Sequence, residues 1–470
     1  MFALQFINLS PTMLQLLVNS RPKQPLCFYF LLNHLTYCDR EIMQIYLKNY
    51  GCSANQADTQ LLAGCLAKAG YKLAHSASAA DVIIYNTCAV KGPTENRVIE
   101  ALKRAPQGKK LIVAGCLPLI NFERLNREVR FDGAVGPAAG DAIVDVVRRV
   151  LEGEKVVSLE GALTAKPSLS LPLLRSNKVV SVIPIGYGCL GSCAYCCVVF
   201  ARGHVRSYTI KEVTERLQRD LAAGAKEFWV TSQDTACYGR DAGTNLAALL
   251  KALSAVDGDF KVRVGMMTPN LVQDMLDDLI EAFRSSRIFK FVHLPVQSGD
   301  NGVLRRMRRF YTVQDFRDVV DAFREAFPDV TVATDVICGF PSETREAFQN
   351  TLKLIGDVKP DVVNVSKFFA RPGTAAAEMQ EALVEPAEIK RRSAEAAKLV
   401  KQVSLERNQR WIGWSGEVLV DEKGKVPGSW IGRNFAYKPV TVKSSSNLLG
   451  ETLRVKVVNA FSTHLVGTVK

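Results

Sequence analysis

The chain contains no uninterrupted apolar run of about 18 residues, the length a helix needs to cross a bilayer. No transmembrane helix and no membrane partner are therefore expected. The cysteine density of a small secreted disulfide scaffold is also missing, because twelve cysteines are spread over 470 residues and such scaffolds are short extracellular chains. The cysteines gather in loops instead, which favours metal ligation in a reducing cytoplasm. A convincing secretory leader is lacking too: within residues 1–42 the basic residues follow the first apolar stretch rather than lead it. That segment, with Pro22, Pro25 and an apolar run from Leu26 to Leu32 of no clear period, reads as a disordered or misannotated extension. Met43 opens the first clean strand pattern. Acidic charge falls short of basic, 47 Asp and Glu against 60 Lys and Arg, leaving a formal net charge of +13. Such an excess favours a polyanionic partner through phosphate neutralisation and counterion release.

What is present is most specific in the segment Gly188-Cys-Leu-Gly-Ser-Cys-Ala-Tyr-Cys196. Cys189, Cys193 and Cys196 stand at C-x3-C-x2-C, so three thiolates on one loop can hold three corners of a 4Fe–4S cube. No fourth cysteine follows in the required phase, which leaves one iron open to chelate a small molecule, as an open position marks catalytic zinc sites. Two blander readings compete. The three could be buried free thiols, or part of a zinc site, although structural zinc usually takes four protein ligands and His204 lies far along the chain for a compact set. Glycines 186, 188 and 191 favour a bare loop that lets backbone approach a cluster or ligand.

The chain as a whole reads as α/β. Over residues 43–152, strands expected at 43–50, 81–86 and 111–115 alternate with helices expected at 55–70, 93–105 and 138–152, as in an open parallel sheet. A cysteine follows each strand: Cys52, Cys88 and Cys116, the first and last preceded by glycine. Ligands of open α/β sheets sit at strand carboxyl ends, so these three converge on one crevice and form a second three-thiolate candidate. The competing reading makes each a small core residue, as expected for Cys65 on its leucine-lined helical face. Residues 153–176, with Pro167 and Pro172, read as a linker. Over 177–407, strands are expected at 179–186, 227–232, 261–266, 290–294, 331–337 and 361–368, with helices between them, giving a partial (β/α)6 barrel whose chemistry gathers at strand carboxyl ends. A charged helix is expected over 386–410. Residues 408–470 read as a small all-β barrel of the oligonucleotide-binding type, with strands at Glu417–Asp421, Pro439–Lys443, Thr452–Val458 and Leu465–Val469. Trp430, Phe435 and Tyr437 lie among its basic residues, which suits RNA stacking, though aromatics also fill small barrel cores.

Taken together, these residues resemble the methylthiotransferases, a radical S-adenosylmethionine family with two iron–sulfur clusters. The resemblance rests on Lys48-Asn-Tyr-Gly-Cys-Ser-Ala-Asn-Gln-Ala-Asp58, Asn86-Thr-Cys-Ala-Val90, Ala114-Gly-Cys-Leu-Pro118 and the 188–196 loop. Ala201-Arg-Gly-His-Val-Arg-Ser-Tyr208, Thr231-Ser-Gln-Asp-Thr235, His293-Leu-Pro-Val-Gln-Ser-Gly299 and Thr334-Asp-Val-Ile-Cys-Gly-Phe-Pro341 extend it. The tail resembles a TRAM domain, the family's RNA-binding barrel. The Thr-Ser-Gln-Asp-Thr-Ala run and Ala-Arg-Gly are similar to the archaeal and eukaryotic branch, which acts on threonylcarbamoyladenosine beside the tRNA anticodon. Cys197 departs from the pattern, where an aliphatic residue is expected.

The resemblance implies two 4Fe–4S clusters and S-adenosylmethionine as cofactors. A cluster on Cys189, Cys193 and Cys196 would reduce S-adenosylmethionine to a radical that takes hydrogen from adenine carbon 2 at tRNA position 37. A second cluster, on Cys52, Cys88 and Cys116, would offer methylated sulfur. Gln233, Gln297 and Asp335, at strand ends, are candidate cofactor contacts, each equally readable as a structural hydrogen-bonding residue. Implied partners are the tRNA anticodon stem-loop and a reductant protein, not DNA. Two alternatives stand beside this: methylthiolation of a ribosomal protein aspartate, which a basic chain disfavours, and a non-catalytic iron–sulfur RNA-binding protein, which has no need of an open iron.

Overall fold

The computed structural model describes residues 43–90 and 92–470, and the extension expected over 1–42 lies outside the described residues. The first layer is a six-stranded parallel sheet in the order β2-β1-β3-β4-β5-β6. Its strands are β1 (Gln44–Asn49), β2 (Lys72–Leu73), β3 (Val82–Thr87), β4 (Lys110–Gly115), β5 (Gly133–Val135) and β6 (Val156–Ser158). Every residue of β3 is buried, as a strand covered on both faces by helices must be. Ile83 and Tyr85 pack on one side with Val98, Ile99 and Leu102, whereas Val82 and Ile84 pack on the other with Leu61, Leu62 and Leu66. Sequence reading found β1, β3 and β4 but not the two- and three-residue strands. β6 lies inside the stretch expected to be a linker and pairs in parallel with β5.

The second layer is built on β7 (Val180–Pro184), β10 (Glu227–Thr231), β11 (Lys261–Val264), β12 (Phe291–His293), β13 (Thr331–Cys338) and β14 (Val362–Lys367). They form two parallel three-stranded sheets, β11-β10-β7 and β12-β13-β14. Parallel bridges Val262↔Ile288 and Met266↔His293 join them into an arc of six. Intervening helices cover its outer face with one apolar core that includes Leu217, Phe228, Leu250, Phe283, Val292, Phe316, Phe323 and Val336. All six strands fall where the sequence places them. Between β11 and β12, where the sequence predicts one helix over 270–285, the chain forms two, Pro269–Gln273 and Leu276–Phe283. A short antiparallel ribbon, β8 (Gly186–Tyr187) with β9 (Arg206–Ser207), carries the three-cysteine loop between its strands.

The long helix Pro386–Gln409 leads into a closed barrel, β15-β16-β17-β19-β18. Its strands are β15 (Ser415–Lys423), β16 (Ser429–Arg433), β17 (Pro439–Lys443), β18 (Thr452–Ala460) and β19 (Leu465–Val469). The strand containing Trp430, β16, was the one not read from sequence. Tyr437, held at φ +61°, packs its ring 4.9 Å from that of Phe289 and 5.2 Å from that of Phe291, beneath the arc. Tyr437 is thus part of a joint between the two barrels and not a free stacking platform. Phe435 stays 40% exposed beside Trp411 and Trp414. Among the described residues no helix is long and apolar enough to cross a membrane.

Candidate functional site

Sheet register brings the first set of cysteines together. β1, β3 and β4 are neighbours, Asn49 is paired with Asn86, and Thr87 with Gly115. Their carboxyl ends are therefore level, and parallel neighbours lie about 4.8 Å apart. Cys88 and Cys116 follow the last residues of β3 and β4 at once, and Cys52 precedes the helix Ser53–Lys68. Cys116 and Cys52 both act electrostatically on the Cys88 thiol, and burial pushes that thiol up to about 12. Burial raises Cys116 as well, against the opposing charge of Arg202. Thiols raised in this way hold their protons until a metal displaces them, so loading a cluster here would release protons.

A polar lattice fixes these loops. Asn55 donates to the Thr87 carbonyl at 3.0 Å, and Asn86 donates to the Asn55 carbonyl at 2.8 Å. The Thr87 hydroxyl donates to the Ala114 carbonyl at 2.7 Å. Gly115, at φ +93°, must be glycine, because a Cβ there would stand 2.3 Å from Asn86 Oδ1 and 2.5 Å from the Thr87 carbonyl.

The second set lies on the loop carried by the β8–β9 ribbon. Gly188 enters that loop at φ +78°, where a Cβ would meet the His204 carbonyl at 2.0 Å. A Cβ on Gly191 would lie 3.3 Å from Cys189 Sγ and 3.6 Å from Cys193 Sγ, so two sulfurs wrap one bare backbone turn. The Gly191 N–H donates to Cys189 Sγ at 3.2 Å. Burial, with Cys193, Cys197 and Cys189 close by, drives the Cys196 thiol upward. Three convergent sulfurs, a backbone N–H and a buried guanidinium (Arg309, below) make a donor set suited to an iron–sulfur cube.

Of the three expected cofactor contacts, Gln297 and Asp335 are backbone neighbours and Gln233 lies against the cysteine loop. Gln233 Oε1 accepts the Gly188 N–H at 2.8 Å, bracing the cysteine loop. Gln297 sits at φ +69°, and its backbone N–H donates to the Asp335 carbonyl at 2.8 Å. The Asp335 carboxylate meets His293 Nε2 at 2.7 Å and accepts from Asn364 at 2.8 Å.

Arg309 and Cys237, also at the site, were not singled out from sequence. Arg309, 8% exposed, donates to Cys193 Sγ at 3.1 Å. Cys237 and Asp234 place ligand atoms within 4.8 Å of Cys189 Sγ and of each other. A hydrogen bond between the Cys237 and Cys189 thiols holds Cys189 below its usual value. Cys197 is fully buried behind the loop, its thiol 3.9 Å from the Ala89 carbonyl, and burial pushes it up to about 11. Spacing alone gave no signal for Arg309 or Cys237, whose partners are distant in the chain. A cavity of about 360 Å³ opens elsewhere, between the β5 edge and residues 158–171, and none of these cysteines lines it.

Two family models match the segments that carry these cysteines. Residues 183–355 match the Radical SAM superfamily and residues 44–136 match Uncharacterized protein family UPF0004. The "Probable threonylcarbamoyladenosine tRNA methylthiotransferase" of Pyrococcus abyssi is 41% identical over 430 residues, covering 91% of this chain and 100% of that one. The human "Threonylcarbamoyladenosine tRNA methylthiotransferase" is 35% identical over 426 residues, covering 88% of this chain and 72% of that one. Among solved structures, the radical S-adenosylmethionine methyltransferase TsrM of Kitasatospora setae shares the fold at TM-score 0.51 and 12% identity, over 71% of this chain and 74% of that one.

Proposed function

The chain belongs to the threonylcarbamoyladenosine tRNA methylthiotransferases, and from that premise we propose that it places a methylthio group on carbon 2 of threonylcarbamoyladenosine at position 37 of tRNA. The single observation that carries this reading is the pair of three-thiol sites, one at the ends of β1, β3 and β4 and one on the 189–196 loop. A one-site enzyme has no use for the second.

Cys189, Cys193 and Cys196 would hold one 4Fe–4S cluster and Cys52, Cys88 and Cys116 the other. When bound, the clusters and S-adenosylmethionine supply the one-electron chemistry and the sulfur that an unactivated adenine C–H bond requires. The chain's own residues orient and enclose. Arg309 puts a fixed positive charge against Cys193, where it favours the reduced, more negative state of whatever that sulfur binds. Gln233 keeps the Gly188 N–H, and hence the loop entry, in place. Asn55, Asn86 and Thr87 do the same for the other three thiols.

The substrate assignment is supported by the net charge of +13 and by the C-terminal barrel, where eight Lys and Arg stand against four Asp and Glu over residues 411–470. We take the anticodon stem-loop as the bound element, an electron-donating protein as a further partner, and the cytoplasm as the compartment. The test is mass spectrometry of tRNA nucleosides from cells lacking this chain. Loss of the 2-methylthio nucleoside with accumulation of its unthiolated precursor is expected. An unchanged nucleoside profile would overturn the assignment.

A further inference from the structure

The two candidate cluster sites are joined by one carboxylate. Asp58 lies in the helix Ser53–Lys68, which starts directly after Cys52, and is 3% exposed. Its Oδ1 accepts the Tyr187 hydroxyl at 2.5 Å, and its Oδ2 accepts Arg202 Nη2 at 2.5 Å. Tyr187 ends β8 just before the three cysteines, and Arg202 ends the short helix Val198–Arg202 that follows them, so Asp58 holds the chain on both sides of the cysteines. Arg202 also stands near enough to Cys116 for its positive charge to act on that thiol. A parallel tie, Ser53 Oγ to Thr231 Oγ1 at 2.9 Å, holds the start of the same helix to the end of β10.

We propose that Asp58, Tyr187 and Arg202 are positioning residues that set the separation and orientation of the two cluster sites. The proposal rests on the functional reading above, because two cofactors must act on one adenine. Stability does not explain such a triad. A buried ion pair loses in desolvation much of what it gains in attraction, and apolar replacements of similar volume are often as stable or more so. What charged, short hydrogen bonds provide is direction: apolar packing tolerates sliding, whereas a carboxylate held on both oxygens does not. A misplacement of about 1 Å between reacting partners costs on the order of a hundredfold in rate.

The test compares the reconstituted holoenzyme with Asp58→Asn, Tyr187→Phe and Asp58→Glu. Three quantities are read: iron per chain, the magnetic coupling between the two reduced clusters by pulsed electron paramagnetic resonance, and 5′-deoxyadenosine released per methylthiolated adenosine. Asp58→Asn should keep about eight irons but shift or broaden the coupling. It should also raise the deoxyadenosine-to-product ratio roughly tenfold or more. Asp58→Glu should restore part of both readouts. Tyr187→Phe, which leaves the ion pair intact, should move them by less, and it keeps the test decisive if Asp58→Asn fails to fold. Unchanged coupling and ratio would overturn the proposal, and so would loss of iron to about four per chain, which marks a residue that merely supports one site. A parent enzyme that released deoxyadenosine without modifying tRNA would overturn the functional reading, and the coupling would then decide the clamp by itself.

Discussion

Arg309 donates an N–H to Cys193 Sγ across 3.1 Å, although 116 residues separate them in the chain. The guanidinium is buried and also donates to the Tyr311 hydroxyl at 2.9 Å, the Pro295 carbonyl at 3.4 Å and the Thr268 hydroxyl at 3.5 Å, so its place is set by four contacts. With Cys193 as a cluster ligand, removing this donor makes reduction harder, because hydrogen bonds to cluster sulfurs raise the potential. A charge-assisted bond contributes about 1.5–3 kcal/mol, which corresponds to a potential lowered by roughly 60–130 mV for a one-electron couple. Arg309→Met should show that drop in a redox titration followed by electron paramagnetic resonance. An unshifted potential would mean the guanidinium serves packing alone.

Single alanine replacements should separate the two cysteine trios. Any of Cys189, Cys193 or Cys196 changed to Ala should leave about four irons per chain and no cleavage of S-adenosylmethionine. Any of Cys52, Cys88 or Cys116 changed to Ala should also leave about four irons, yet cleavage should continue while methylthiolation stops. Iron analysis and product chromatography check both, and identical phenotypes for the two trios would contradict the division of roles.

Glu227, the first residue of β10, lies buried where the arc meets the C-terminal barrel and accepts the Trp229 indole N–H at 2.5 Å. Burial and the Asp421 carboxylate push it from an ordinary value of 4.5 up to about 7. A raised value means the folded protein binds this proton more tightly than the unfolded chain. Its stabilising contribution is therefore complete below about pH 4.5 and is lost as pH rises through about 7. Glu227→Gln removes this group's part of the dependence, so its unfolding free energy from urea titrations should gain on the parent's between about pH 5 and about pH 8, by at most about 3 kcal/mol. Parallel pH profiles would count against the assignment.

Asp361 holds the junction of the long helix and the C-terminal barrel. Its Oδ1 accepts Lys438 Nζ at 2.9 Å and Arg407 Nε at 3.1 Å, and the Lys438 side chain is 4% exposed. Asp361→Ala strands that cation without its counter-charge, and breaking a buried pair in this way costs about 3–5 kcal/mol. The thermal midpoint of the variant should fall accordingly. A change within experimental error would show that water reaches the junction.

Much of the fold was legible in sequence for a simple reason. The six strands of the arc are short apolar runs separated by helical stretches, and a parallel strand buried on both faces advertises itself as such. Elements of two or three residues, such as β2 and β5, carry too little pattern to be read; neighbouring strands and helices hold them in place. β16 was hidden because Pro427, Gly428 and Gly432 crowd its ends with turn signals while Trp430 sits between them. The split at Asp274 and Met275 has no proline or glycine to announce it.

The six candidate ligands were visible because their chemistry leaves a local mark: a tight cysteine spacing in one case, a cysteine after each strand in the other. Three-dimensional structure alone decided what surrounds them. Arg309 on Cys193, Cys237 on Cys189 and Asp58 between Tyr187 and Arg202 are contacts between residues far apart in the chain. Ligand spacing is a property of a few consecutive residues, whereas burial and charge partners depend on which distant segments the folded sheets bring level. Folding thus determined which side chains brace the two sites and tie their supporting segments together.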